Sequence, residues 1–149
     1  MTRPGSLRLS DDEQTGARFA DYAPGVRTGE TRFDLEPGFI TEYMGAAALD
    51  ASLYQVRGRA AAPPQILTLY LMGTLQRRYA PLPGIVMAGL TMELHAPIWR
   101  DERTRIVSEG EILSKEERGA RRFVTWRAEY RREQGEPLAT LTNTFLIPS

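Results

Sequence analysis

The chain has 149 residues, 42% of them hydrophobic and 26% charged, the proportions of one soluble globular domain able to bury a core. It has no cysteine, one histidine and one lysine. That excludes disulfides, thiolate nucleophiles and cysteine-ligated metal sites, and leaves any imidazole chemistry to His95 alone. Nineteen basic side chains balance nineteen acidic ones, so the chain lacks the one-signed field that draws a protein to nucleic acid or to an anionic membrane surface.

Residues 1–16 are polar and without pattern, and read as a flexible arm ahead of a single domain over 17–149. They contain no apolar leader core. The most apolar stretch, residues 60–75, is interrupted by two prolines, a glutamine and threonines, short of the roughly 20 apolar residues that span a bilayer. A cytoplasmic protein without a membrane partner is the expectation.

Along the chain, Ala23-Pro24-Gly25 and Thr28-Gly29 read as turns, and Thr31-Arg32-Phe33-Asp34-Leu35 alternates as a short strand does. After Pro37, the residues Phe39, Ile40, Tyr43 and Met44 recur at helical spacing and predict a short helix. Residues 49–63 hold one possible helical turn and a break at Gly58. Pro63-Pro64 then opens a long helix, predicted to run to about Tyr79, because proline fits a first turn whose N–H has no intrahelical partner. Ile66, Leu67, Leu69, Tyr70, Leu71, Met72 and Leu75 make it apolar on nearly every side, the mark of a buried helix. At Gln76-Arg77-Arg78 it returns to water, with its cations at the negative end of the helix dipole.

Past the turn at Pro81-Leu82-Pro83-Gly84 every segment reads as strand: 85–98, 104–114, 120–132 and 138–147. Val124, Trp126, Ala128 and Tyr130 share one face of the third, and in the fourth Ala139, Leu141, Phe145 and Ile147 alternate with threonines. The connectors, 100–102, 115–119 and 133–136, have the length and polarity of hairpin loops. Strand, short helix, long buried helix and four antiparallel strands predict an α+β hotdog fold, an antiparallel β-sheet wrapped around a long central helix.

Several segments also resemble a known family. Phe19-Ala-Asp-Tyr-Ala-Pro-Gly25, Thr31-Arg-Phe-Asp-Leu35 and Phe39-Ile-Thr-Glu-Tyr43 are similar to the opening of MaoC-like hotdog proteins, the acyl dehydratases and (R)-specific enoyl-CoA hydratases. Met92-Glu-Leu-His-Ala-Pro-Ile-Trp-Arg-Asp-Glu-Arg-Thr104 resembles the family's central strand, its proline and the acidic turn after it. Arg118-Gly-Ala-Arg-Arg-Phe-Val-Thr125 resembles the following hairpin, so the likeness covers about residues 17–148. It implies a soluble protein that handles acyl thioesters such as acyl-CoA without metal or other cofactor. It also implies a homodimer, since family sheets pair edge to edge and family pockets form between protomers.

The family's catalytic signature is an aspartate and a histidine five positions later, with a second aspartate two residues beyond. Matching that last aspartate to Asp50 puts Ala48 where the histidine belongs and Tyr43 where the first aspartate belongs. Alanine exchanges no proton, and a tyrosine with the reference pKa of about 10 is a poor base near neutrality. The family's oxyanion donor, a glycine N–H at the start of the central helix, matches Gln65, whose backbone amide can take the same part. Three readings stay open: a hydratase or dehydratase (a lyase) with an altered site, a non-catalytic acyl-thioester binder or structural partner subunit, and a thioesterase in which Asp50 activates water.

Each candidate also has a plain structural use. Asp50 can cap the turn Ala51-Ser52-Leu53, Tyr43 can pack half-buried against the sheet, and Glu42 fits a solvated helix face. His95 lies in a strand with no carboxylate or nucleophile placed beside it and is expected to pack or hydrogen-bond before Pro97. Trp99 and Trp126 read as sheet or interface residues. Arg121, Arg122, Arg131 and Arg132 read as hairpin charges, or as contacts for the phosphates of coenzyme A.

Overall fold

The computed structural model describes residues 3–7, 16 and 18–148. One five-stranded sheet, every pair antiparallel, carries the fold in the order β1-β5-β6-β7-β4. Its strands are β1 (Arg27–Leu35), β4 (Val86–Leu94), β5 (Thr104–Arg118), β6 (Arg121–Arg132) and β7 (Pro137–Ile147). Between β1 and β4 lie the helix α1 (Pro37–Ala46), a hairpin of β2 (Gln55–Val56) and β3 (Arg59–Ala60), and a central helical segment. That segment is a 3-10 helix over Pro64–Tyr70 continued by α2, Leu71–Leu75.

Alternation in the three long strands places the core. Val124, Trp126, Ala128 and Tyr130 are buried on the inner face of β6, beside Ala139, Leu141, Phe145 and Ile147 of β7. They close over Ile66, Leu67, Tyr70, Leu71 and Leu75 of the central segment. The Tyr70 ring stacks on Phe33 of β1 with centroids 3.8 Å apart, and the Tyr130 hydroxyl donates to the Leu67 carbonyl at 3.3 Å. Two polar pairs are sealed inside. Thr74 and Ser108 share a hydrogen bond of 2.7 Å, and the Trp126 indole donates to Asn143 Oδ1 at 3.0 Å. Asn143 in turn donates from Nδ2 to the Gly89 carbonyl at 2.9 Å, tying β4 to its neighbour beside the bulge between Met87 and Gly89.

The central helix differs from its sequence expectation in winding and in length. It ends at Leu75 rather than near Tyr79, and its first seven residues are 3-10. Thr68 donates its hydroxyl to the Gln65 carbonyl and Thr74 to the Tyr70 carbonyl, engaging the acceptors that a regular α-ladder would use. Leu69 is exposed, so the segment has one wet stripe instead of being apolar all round. Thr28-Gly29, read as a turn, lies inside β1. There Gly29 takes a φ of +83° and the register shifts between Arg27 and Glu30, so the pair forms a bulge rather than an end. Residues 115–119, read as a loop, continue β5 to Arg118 and leave only Gly119-Ala120 to turn the chain.

Of the arm expected over residues 1–16, most lies outside the described residues. Its described part, Arg3–Leu7, packs on the helices: Arg3 makes a two-pronged ion pair with Glu42 of α1 at 2.8 and 2.9 Å, and Leu7 rests on Gly73 of α2, where a Cβ would collide with it. Among the described residues no helix is long and apolar enough to cross a membrane.

Candidate functional site

The β2–β3 hairpin is short because Arg57 and Gly58 both adopt positive φ, +52° and +81°, the conformation of a two-residue hairpin turn. Arg59 fixes it in place. Its guanidinium lies 4.4 Å over the Trp99 ring and reaches Asp101 at 2.8 Å and Glu102 at 3.1 Å. Backbone bonds from Arg100 N to the Ala60 carbonyl and from Ala62 N to the Ile98 carbonyl complete the attachment.

Under this hairpin the fold leaves a slot of about 340 Å³. Tyr54 and Val56 form its lip, Pro64 and Leu67 of the central segment one wall, and Leu94 with Ile98 and Leu138 the other. The walls are mostly apolar, with Gln55 and His95 the polar lining residues besides Tyr54, and the volume lies within the range of small-molecule sites. Of the lining residues, Tyr54 is tied to two polar neighbours. Gln65 Nε2 donates to the Tyr54 hydroxyl at 3.0 Å, and the Tyr43 phenol stands near enough to Tyr54 to feel it electrostatically. Burial first, and that neighbour second, raise the Tyr43 pKa, so its hydroxyl is held in the neutral, donating form. The Gln65 backbone N–H is the first donor of the central segment, since Pro63 and Pro64 have none, and Ile66 N already bonds the Pro63 carbonyl. Among the described residues that Gln65 N–H has no recorded acceptor.

Of the remaining candidates only His95 also lines the slot. Asp50 is exposed and caps the turn Ala51–Leu53, its Oδ1 accepting from Ser52 N at 2.9 Å and from Ser52 Oγ at 2.7 Å. Those two bonds, the hydroxyl's first, lower its pKa and keep it a bound carboxylate. Ala48 occupies the left-handed position that ends α1, with φ of +51°. Leu49 N bonds the Met44 carbonyl and Ala48 N the Gly45 carbonyl, the paired bonds of a Schellman cap. His95 lines the slot next to Leu94, and its Nε2 lies 2.8 Å from Thr140 Oγ1. Trp126 is fully buried in the core. Arg131 pairs with Glu30, Arg122 with Glu117, and Arg132 with Glu136 and the Pro97 carbonyl, so these three guanidiniums already have protein partners.

Sequence reasoning brought Tyr43 and Gln65 forward and missed Tyr54, which joins them. The available signal was the hairpin: Tyr54-Gln55-Val56 and Arg59-Ala60 flank a two-residue Arg57-Gly58 turn, and a β-ribbon there lifts the preceding tyrosine over the start of the central segment.

No family model and no curated protein matches the sequence. Solved structures do match. A MaoC-like dehydratase from Rhodospirillum rubrum superposes with a TM-score of 0.67 at 22% identity, over 86% of this chain and 94% of its own. An (R)-hydratase from Pseudomonas aeruginosa gives 0.66 at 14% identity, over 88% and 85%. A 3R-hydroxyacyl-ACP dehydratase complex from Mycobacterium tuberculosis gives 0.67 at 18% identity, over 83% and 96%. The chain is a hotdog-fold protein built on the architecture of the MaoC-like dehydratases and (R)-hydratases.

Proposed function

We propose that the chain binds the acyl group of a thioester, such as an acyl-CoA, in the slot beneath the β2–β3 hairpin, and does so as a homodimer joined through β4. The observation that carries this reading is a mostly apolar slot lined by Tyr54, whose hydroxyl is bound to the Gln65 side chain and which lies within electrostatic reach of the Tyr43 phenol. An acyl chain supplies the apolar part, and its thioester carbonyl the acceptor.

Within this reading the chain belongs with the hydratases and dehydratases, acting on an enoyl or hydroxyacyl thioester with residues other than the family's aspartate and histidine. A second reading, the non-catalytic acyl-thioester binder or partner subunit, is favoured by a specific observation: the alanine at 48 and the capped Asp50 leave the slot without a carboxylate. Hydrolysis through Asp50 requires that carboxylate to leave its cap. Crotonyl-CoA separates the three. Loss of enoyl absorbance marks a hydratase, calorimetric binding without that loss marks the binder, and thiol release that disappears in Asp50→Asn marks the thioesterase. No binding and no reaction refute the proposal as a whole.

The homodimer follows from β4. Its outer edge has no strand partner, and Met87 and Leu94 turn inward yet remain 53% and 56% exposed. A second copy pairing along β4 covers them, joins the two sheets and keeps both slots beside the seam. Soluble existence in the cytoplasm fits a chain of balanced charge.

A further inference from the structure

We infer that Tyr54 is the residue that hydrogen-bonds the acyl carbonyl and that the Gln65 side chain positions it, an assignment that rests on the acyl-thioester reading. Tyr54 is held from three directions. Its backbone N–H bonds the Ala51 carbonyl at 3.3 Å, its carbonyl accepts from Ala61 N at 2.9 Å, and its hydroxyl accepts from Gln65 Nε2 at 3.0 Å. The last contact sets the chemistry. A phenol has one proton to give, and with its oxygen already accepting from the amide that proton is left for another acceptor. Among the described residues the Tyr54 hydroxyl proton has no acceptor, and the side chains of Leu67, Ile98 and Leu138 in the slot walls offer none.

A donor poised in a mostly apolar slot selects a ligand with an acceptor at the end of an apolar chain. A thioester carbonyl oxygen accepts and never donates, so it matches. The amide also polarises the phenol, because an oxygen that accepts one hydrogen bond donates a stronger one. Gln65 therefore contributes twice, by orienting the hydroxyl and by strengthening it, without having to touch the ligand through its side chain. The Pro63-Pro64 pair sets where this amide stands, since it starts the central segment one residue earlier.

The test uses the full chain and crotonyl-CoA carrying carbon-13 at the thioester carbonyl, read by difference infrared spectroscopy with binding measured by calorimetry. In the native protein the carbonyl stretch moves to lower frequency on binding. Tyr54→Phe keeps the ring and its packing, and is expected to abolish most of that movement while weakening binding roughly tenfold. Gln65→Leu reduces the movement without abolishing it. A measurement that needs no variant uses tyrosine labelled at the ring carbon bearing the hydroxyl, where the Tyr54 resonance of the native protein shifts as ligand is added. Binding to native protein with a carbonyl that stays shifted in Tyr54→Phe, or with an unmoved Tyr54 resonance, overturns the assignment and means that the phenol proton is spent on Gln65 Oε1. Failure of crotonyl-CoA to bind native protein refutes the acyl-thioester reading beneath it.

Discussion

Strands β1 and β4 both run nine residues along an edge of the same sheet, yet one is lined with ion pairs and the other carries a single charged residue, Glu93. On β1, Arg27 pairs with Glu109 of β5 at 2.9 Å, Glu30 with Arg32 and with Arg131 of β6, and Asp34 with Arg103 just ahead of β5. On β4, Glu93 is the one charged residue, and Val86, Met87, Leu90 and Leu94 are exposed and apolar. An unpaired strand edge is a template for adding another chain, and charges along it block that addition. The ion pairs concentrate on the β1 edge. The sparsely charged edge also forms a wall of the slot through Leu94.

Four experiments act on this contrast. The largest effect is expected from Leu90→Asp with Leu94→Asp on β4. Burying these charges in the seam costs about 3–5 kcal/mol or more, enough to turn a particle of twice 16.7 kDa into one of 16.7 kDa by light scattering. A dimer that survives both changes breaks the comparison. Next comes Asn143→Val, which removes the acceptor of the Trp126 indole and the donor to the Gly89 carbonyl together. A loss of about 1–3 kcal/mol in denaturant unfolding is expected, with faster hydrogen exchange concentrated in β4 rather than β1.

The third substitution tests the charged edge from beneath. Gly110 leaves room for β1 to close on β5: a Cβ there would stand 2.9 Å from the Thr28 methyl and 3.0 Å from the Trp126 ring. Gly110→Ala should cost about 1–3 kcal/mol by overpacking and disturb the bond from Gly110 N to Thr28 Oγ1, seen as faster amide exchange at Gly110 and along β1. The smallest effect belongs to the ion pairs themselves. Arg27→Met removes an exposed pair and should change stability by about 0.2–1 kcal/mol, the difference fading with added salt. Its informative readout is association at high concentration. If charge guards β1, several such neutralisations together raise self-association there, and an unchanged mass would show that the charges serve another end.

How far these features could be read in the sequence depends on how local their causes are. Strands β5–β7 were legible because Val124, Trp126, Ala128 and Tyr130 alternate with polar residues, and alternation is a direct image of a sheet with one buried face. The central segment was legible as helical and buried, but not as 3-10, because its winding depends on hydroxyls of Thr68 and Thr74 turning back to the backbone. Thr28-Gly29 resembles a turn by composition; only pairing with β5 makes it a bulge. At the site, Tyr43 and Gln65 could be found by matching a family pattern. Tyr54 could not, since its role comes from a contact made across the hairpin, and in the sequence the Gly58 that turns the hairpin looks like a plain break. The bareness of β4 was hidden for a related reason: Val86 to Leu94 reads as any buried strand does until the fold leaves it uncovered.

The central claim, that the slot takes an acyl group, is tested most directly by calorimetric titration of the native chain with coenzyme A and with a series of its saturated thioesters from acetyl to hexanoyl. The account predicts that coenzyme A alone binds weakest and that each added methylene tightens binding by about 0.8 kcal/mol, roughly fourfold, until the 340 Å³ slot is filled. Equal affinity for coenzyme A and all its thioesters, or no heat from any of them, would contradict it.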